Sequence, residues 1–426
     1  MKRRALLAGL SLLAAVPCLG QILGSHKAVY DEYGILQPWT SWDDAIGREM
    51  SWYLHCPVEH GYPRFVFLTF MDGKYQAVTR RKDTIPAMQN GMGILSYLKY
   101  YAYKGRRNPD VLRFARAMGD YLVTESLTPD TGVYPRFTRS TGIRATFPLP
   151  PGAGSQKDGP YEIEPDKGGI AGYALVELYR ETKDKHYLDQ ALQNARLLAA
   201  NMRDGSANSS PWPFRADYRT GEPHGLISAN MSYNLRLFDA LAALGYSEFA
   251  APRARLWKWI KELQIPDASK NAILWVQFHE DYDMEGNRNA WSALNLARLL
   301  VERRDALDPD WRADSRDLLL FVIRRFTSIR FGVPVSGEQD DDKDPWGGAL
   351  TNYGGTLAVY SAATGSDEFK GLAWQALTLA LYAIDDNGCP RDSLLRPACG
   401  GWQEDAHTDV IHNYVDAMEA FPEWAK

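Results

Sequence analysis

Three stretches of the chain repeat one pattern, and that pattern decides the fold: YYAYKGRRNPDVLRFARAMGDYL at residues 100–122, ELYRETKDKHYLDQALQNARLLA at 177–199 and AVYSAATGSDEFKGLAWQALTLAL at 358–381. Each stretch begins in a helical segment that contains tyrosine, passes through a brief turn, and continues in a second segment spaced with leucine and alanine. A repeating unit of two helices is typical of a helical solenoid or a closed ring.

Helical periodicity extends over most of the chain from residue 40 onward. We predict twelve helices, at residues 41–55, 85–104, 109–125, 168–182, 185–202, 228–244, 247–264, 288–304, 310–327, 347–363, 367–386 and 405–420. We expect the first and last helices to pack on each other and to close a ring, because an open solenoid would need polar caps instead. The chain is therefore predicted to be all-α, with six helical hairpins.

The N-terminus carries the features of a secretory signal peptide. Lys2, Arg3 and Arg4 precede an apolar run at residues 5–16, and small residues follow up to Gly20. This run is too short to span a bilayer. We expect a signal peptide at residues 1–20, one domain at 21–426, and a secreted or periplasmic protein. Cys18 raises the alternative of a lipoprotein anchor, which Pro17 disfavours.

The remaining cysteines fit an oxidising compartment. Cys389 and Cys399 lie ten positions apart in a loop that contains proline and glycine, and we predict a disulfide between them. Cys56 is left over, and we interpret it as a buried small apolar residue.

Composition excludes some classes of partner. The formal charge of the chain is −5, and removal of the predicted leader with its three cations makes it −8. Because no basic stripe is present, we expect no nucleic-acid partner. No Gly-rich phosphate loop occurs, and we expect no cofactor. The 13 Trp and 23 Tyr residues favour sugar binding, since their rings join a flat apolar face to a polar edge.

The repeat architecture resembles the (α/α)6 toroids of secreted carbohydrate-active enzymes, namely the six-hairpin glycosidases and the related polysaccharide lyases and epimerases. The resemblance covers nearly the whole predicted mature chain. It rests on the paired helices and not on a diagnostic motif, so it implies a fold more than a reaction. A carbohydrate is the substrate class that it implies.

Turns inside the predicted pairs are short, whereas the connections between pairs are long and rich in polar residues. The connections read AVTRRKDT (77–84), PYEIEPDKGG (160–169), GEPHGLISAN (221–230), FHEDYDMEGNRN (278–289), SGEQDDDKDPWGG (336–348) and GGWQEDAHTD (400–409). In a ring of hairpins these connections emerge on one rim, where the inner helices also begin. We therefore expect the active site there, under the positive ends of the helix dipoles.

Glycoside hydrolysis is the reaction that we favour for this rim. It requires one protonated carboxyl group and one ionised carboxylate, which different connections can supply. Our catalytic candidates are Glu280, Asp281 and Asp283 in one connection and Glu404, Asp405 and Asp409 in another. Asp405 and Asp409 lie four residues apart at the start of the last inner helix, so they share a face. Helix capping is the competing explanation for these acidic residues.

Elimination or epimerisation of a uronate is the alternative reaction. The segment EPHGLISANMSYNLR supplies His224 and Tyr233 as the candidate acid and base, and Asn230 and Arg236 as groups that bind the substrate. The His-to-Tyr spacing resembles that of some chondroitin and hyaluronan lyases. A third interpretation is a non-catalytic glycan-binding ring.

Further candidates bind sugar or metal. We expect sugar contacts from Trp212, Trp346, Trp402 and Glu162. Asp281, Asp283 and Glu285 resemble the start of a calcium loop, but Ser292 stands where such a loop carries its bidentate glutamate. We therefore expect no metal site, and calcium at these three residues is the alternative.

Overall fold

The structure is a computed structural model of the 426-residue chain. It describes residues 21–68, 70–76, 85–140, 161–277, 286–402 and 410–426, and for Trp402 the backbone alone. The predicted signal peptide at residues 1–20 lies outside this described part.

Each of the twelve predicted helices is found, and most of the observed bounds lie within four residues of the predicted ones. Within the described residues the helices of ten or more residues are α1 (Trp42–Leu54), α2 (Pro86–Tyr103), α3 (Pro109–Thr124), α4 (Pro165–Thr182), α5 (Lys185–Ala200), α6 (Ser232–Ala242), α7 (Ala250–Trp259), α8 (Ala290–Arg303), α9 (Trp311–Phe326), α10 (Gly347–Thr364), α11 (Lys370–Leu381) and α12 (Val410–Ala420). A π-helical turn, Ile260–Gln264, and a short α-turn, Ile265–Asp267, prolong α7.

The helices form a closed ring of hairpins. Six inner helices contact one another in the order α2, α4, α6, α8, α10, α12 and back to α2. The outer helices α3, α5, α7, α9 and α11 each pack against the inner helix that precedes them, and α1 packs against α12. The first and last helices therefore complete the sixth hairpin, which confirms the predicted (α/α)6 toroid.

Glycine allows the inner helices to approach closely. A Cβ atom at Gly91 of α2 would lie 3.0 Å from Ile170 and 3.3 Å from Ala171 of α4. At Gly169 of α4 it would lie 1.8 Å from the side-chain oxygen of Asn234 in α6. A larger residue at either position would therefore require the facing side chain or helix to shift.

Thirteen short strands are present in the described part of the chain, before α1 or in the segments between helices. They are β1 (Ile22–Leu23), β2 (His26–Lys27), β3 (Val29–Tyr30), β4 (Leu36–Gln37), β5 (Val58–Glu59), β6 (Tyr62–Pro63), β7 (Phe70–Asp72), β8 (Glu162–Ile163), β9 (Arg215–Asp217), β10 (Pro223–His224), β11 (Thr327–Arg330), β12 (Val333–Ser336) and β13 (Gly400–Trp402). All strand pairs are antiparallel, and the largest sheet has three strands in the order β10-β9-β8.

Hydrogen bonds join each connection between hairpins to the next and so form a closed circuit, which we call the connecting rim. Going around the ring, its links are Ala87 to Arg139, β8 to β9, Ala229 to Val276, Ala290 to Glu338, Gly347 to Asp392, and β13 to β7. The predicted convergence of the connections is therefore confirmed for their described parts. The opposite end of the ring carries the short turns within hairpins, and we call it the turn end.

A layer of apolar side chains fills the middle of the ring. Ile85, Met88 and Met92 from the start of α2 meet Ile170 of α4, Tyr233 of α6 and Trp291 of α8. All six side chains are buried. We call this set the luminal apolar layer, and its side chains come from four of the six inner helices, or from the residue directly before one of them.

The structure joins Cys389 to Cys399 by a disulfide. Cys56 is buried and unbonded, as predicted, and burial raises the pKa of its thiol to about 11. Among the described residues, no helix is both long and apolar enough to cross a membrane.

Candidate functional site

The six predicted catalytic carboxylates lie outside the described residues. Glu280, Asp281 and Asp283 fall in residues 278–285, together with Glu285 of the calcium candidate. Glu404, Asp405 and Asp409 fall in 403–409. The residues that flank both segments belong to the connecting rim. Gln277 accepts a hydrogen bond from the backbone of Ile227, and β13 pairs with β7. The described residues next to both segments therefore lie at this end of the ring.

His224 and Glu162 meet on the rim, on either side of β9. Their side chains lie on β10 and β8, and His224 Nδ1 is 2.8 Å from Glu162 Oε1. His224 is half exposed, so this pair is available to solvent. Tyr233 is instead buried in the luminal apolar layer, where its ring stacks at 6.2 Å from Trp291. The two residues of the predicted His–Tyr pair thus lie in different surroundings.

The predicted sugar-binding residues also divide between different environments. Trp212 is fully buried in the core, and its indole nitrogen donates to the Leu198 carbonyl at 2.9 Å. It therefore packs in the protein core, and the prediction that it contacts sugar is wrong.

Trp346 is partly exposed on the rim, 5.6 Å from the Arg396 guanidinium. Asn230 is fully buried, and its amide has no hydrogen-bond partner among the described residues. The side chain of Trp402 is outside the described part.

A group of buried charges at the start of α4 was not identified from the sequence. Lys167 Nζ lies 3.1 Å from Glu164 Oε2 and 2.8 Å from Asp166 Oδ2, and Arg215 lies 3.7 Å from Glu164 Oε1. These four residues are the rim charge cluster, and each is exposed by 1 % or less. The sequence signal was the run EPDK directly before two glycines, which resembles an ordinary solvated helix start.

Electrostatics hold the rim charge cluster together. Burial by itself would lower the pKa of Lys167, but the carboxylates of Asp166 and Glu164 raise it above its ordinary value. The lysine therefore stays charged. The second Asp166 oxygen has no hydrogen-bond partner among the described residues. It is also in the first turn of α4, where the helix dipole favours a negative charge.

A second feature is an axial cavity of about 470 Å³ at the turn end, which we call the turn-end cavity. Its wall comes from the middle and C-terminal parts of α2, α4 and α8, from the first half of α6, and from α12. Tyr233 and Arg236, two residues predicted for elimination, contribute to this wall. The sequence did not indicate a cavity at this end, because the residues that line it come from helices far apart in the chain.

Ion pairs line the turn-end cavity. They are Arg106 with Glu181 at 3.0 Å, Arg180 with Glu177 at 2.5 Å, Arg236 with Glu302 at 2.5 Å, Lys99 with Asp416 at 2.8 Å, and Arg298 with Asp416. Lys99 also pairs with Glu419 at 2.6 Å. The wall thus contains both donors and acceptors of hydrogen bonds.

The charged side chains of the cavity perturb one another. Burial by itself would raise the pKa of Asp416, but the positive charges of Arg298 and Lys99 lower it below its ordinary value. Burial would lower the pKa of Arg236, but Glu302 raises it. Burial, followed by the Glu177 charge, raises the pKa of Tyr173 to about 12. These groups therefore keep their ordinary charge states at neutral pH.

The structure bears on metal binding in one respect. In the part of the chain that the structure describes, no group of three or more His, Cys, Asp or Glu side chains is placed to hold a metal ion.

No protein-family model matches the chain, and no curated protein matches its sequence. Solved structures do match its fold. The cellobiose 2-epimerase of Spirochaeta thermophila DSM 6192 superposes with a TM-score of 0.64 at 13% identity, covering 88% of this chain and 94% of that one. A family 76 glycoside hydrolase from a bovine Bacteroides thetaiotaomicron strain gives 0.59 at 11% identity, covering 90% and 78%. A polysaccharide lyase gives 0.53 at 11% identity, covering 88% and 94%.

At these identities the likeness concerns the fold alone. The three matched enzymes belong to three reaction classes, and all share the ring of hairpins with this chain. The fold and the rim together define an (α/α)6 toroid whose connections gather at one end. Its reaction has to be inferred from residues.

Proposed function

We propose that the chain is a carbohydrate-active enzyme, and specifically a glycoside hydrolase that works at the connecting rim. The observation that carries the proposal is the closed circuit of hydrogen bonds that gathers the connections between hairpins. Each inner helix begins beside this circuit, so six positive dipole ends surround one region. The three matched structures with this fold are sugar-active enzymes, which supports a carbohydrate as the substrate.

The catalytic carboxylates in this proposal come from two neighbourhoods of the rim. One is residues 278–285 with Glu280, Asp281 and Asp283, and the other is 403–409 with Glu404, Asp405 and Asp409. One carboxyl group protonates the leaving oxygen, and the other acts as base or nucleophile. Their separation sets the stereochemistry, at roughly 5 Å for retention and 6.5–9.5 Å for inversion. The described residues that flank the two segments lie on the same rim, which is why we assign the pair to them.

Side chains of the described rim would hold the sugar. Trp346 offers a partly exposed ring, and Glu162 with His224 offers an acceptor and a donor on the three-stranded sheet. We further propose that the leader at residues 1–20 exports the chain, so that it meets glycans outside the cytoplasm.

Elimination or epimerisation of a uronate is the second candidate, because Tyr233 and Arg236 line one cavity with the guanidinium carbon 5.8 Å from the ring. Such a reaction needs a base near the sugar and a cation on its carboxylate. The position of His224 on the exposed sheet counts against a joint role with Tyr233. A non-catalytic glycan-binding ring remains the third candidate.

The test is a digestion of neutral polysaccharides and of uronate polymers by the exported chain. Hydrolysis yields new reducing ends without a gain in ultraviolet absorbance, whereas elimination yields unsaturated products that absorb. We expect Glu280→Gln and Asp405→Asn to lower hydrolysis by about 100-fold or more, as loss of a general acid or base does. Asp189→Asn on the exposed face of α5 and Glu423→Gln near the C-terminus are matched controls that should retain activity.

Three results would contradict the proposal. Full activity in both rim variants would remove the catalytic roles assigned to Glu280 and Asp405. An absorbance gain on uronate polymers would favour elimination. Saturable glycan binding without any turnover would favour the non-catalytic ring.

A further inference from the structure

We propose that the turn-end cavity is a second carbohydrate site, which binds a small neutral sugar such as a mono- or disaccharide. This site is separate from the connecting rim and does not depend on the reaction proposed there. Its volume of about 470 Å³ lies within the roughly 300–1,000 Å³ range of small-molecule pockets.

The cavity opens away from the rim. The α2 residues that line the cavity begin at Leu95, further along the helix from the rim than Met88 and Met92 of the luminal apolar layer. Ala102 and Arg106 are exposed and line the cavity near the turn between α2 and α3. A ligand would therefore enter from the turn end without passing the rim.

The charge balance of the wall favours a neutral ligand. Arg106, Arg180, Arg236, Arg298 and Lys99 are five cations, and each already pairs with a carboxylate of the wall or its border. An anionic ligand would have to compete with these carboxylates and leave a buried charge without its partner. Each sugar hydroxyl, by contrast, can donate to a carboxylate and accept from a guanidinium. A wall of ion pairs thus offers both kinds of contact to a polyol.

Two tyrosines and one donor complete the site. The rings of Tyr173 and Tyr233 lie 6.3 Å apart at 49°, and the Arg236 guanidinium lies 5.9 Å and 5.8 Å from them. Aromatic faces of this kind pack against the C–H groups of a pyranose ring. Arg236 is 7 % exposed, and its Nε has no hydrogen-bond partner among the described residues. A buried donor without a partner is costly, and a ligand oxygen would satisfy it.

The test is titration of the full chain with D-mannose, D-glucose, cellobiose, D-glucuronate and inorganic phosphate, followed by calorimetry and ligand-observed NMR. The informative variant is Ala102→Trp, which obstructs the mouth without removing an ion pair. Ala254→Trp, on an exposed position of the outer helix α7, is the matched control. Asp405→Asn tests independence from the rim.

We expect at least one neutral sugar to bind saturably, more tightly than D-glucuronate or phosphate. Ala102→Trp should weaken that binding by about tenfold or more, while Ala254→Trp and Asp405→Asn leave it unchanged. The proposal is overturned if no neutral sugar binds or if Ala102→Trp binds as the parent does. Preferential binding of the anions would also overturn it.

Discussion

The two ends of the ring use charge in different ways. At the connecting rim, Lys167 and its two carboxylate partners are fully buried at the first turn of α4. At the turn end, Glu177 and Arg180 near the other end of the same helix are 26% and 34% exposed. The same helix thus carries a dry ion cluster at one end and a solvated pair at the other. The contrast indicates that the rim charges serve a fixed arrangement and the turn-end charges an accessible wall.

The largest loss of stability should come from a substitution in the rim charge cluster. Lys167→Met removes the cation between Glu164 and Asp166 and leaves both buried carboxylates without it. Breaking a buried pair in this way costs about 3–5 kcal/mol in the free energy of unfolding. Urea denaturation measures it, and Lys185→Met, an exposed position at the start of α5, should change stability by less than about 0.5 kcal/mol. An equal effect of both variants would mean that the rim charge cluster is not a dry site.

An intermediate loss of stability should come from a substitution of Asp416 in the turn-end cavity. Asp416→Asn weakens charge-assisted bonds to Arg298 and Lys99, at a cost of about 2 kcal/mol at neutral pH. The pKa of Asp416 is lowered on folding, so its contribution is present above the unfolded value of about 3.9 and is lost as the pH falls through the folded pKa.

The pH dependence supplies the control for this variant. The difference in stability between the parent and Asp416→Asn should shrink below about pH 4, whereas a packing defect would persist there. Asp130→Asn, which removes a 78% exposed partner of Arg136, should show neither the loss nor the pH dependence. A difference that stays constant down to pH 2 would show that Asp416 acts through shape and not charge.

Much of the fold could be predicted from the sequence, because local signals agree with one another. Asn108 caps α3 directly before Pro109, and Asp184 caps α5, so the turns between paired helices are marked by capping residues. The repeats then imply a ring, and the ring implies a common rim.

The chemistry of the sites could be predicted far less well. Trp212 is a core residue, but a count of tryptophans cannot separate core from surface. Arg236 and Glu302 are 66 residues apart and meet only because α6 and α8 are neighbours in the ring. The burial of Lys167 is equally invisible in EPDK, since a charged helix start is ordinarily solvated. These features depend on tertiary contacts that no local pattern encodes.

The smallest loss of stability should come from a substitution at the solvated end of α4. Comparing it with the loss in Lys167→Met makes the contrast between the two ends quantitative. Glu177→Gln removes an i,i+3 partner of Arg180 on a partly exposed helix surface, where such pairs contribute about 0.2–0.5 kcal/mol. Because salt screens exposed charges over roughly 3 Å at 1 M, the difference should vanish in 1 M NaCl, while that of Lys167→Met should largely remain. A loss above about 2 kcal/mol for Glu177→Gln would place both ends of α4 in the same dielectric environment. The proposed open mouth of the turn-end cavity would then have to be abandoned, because a solvated pair is what an accessible wall requires.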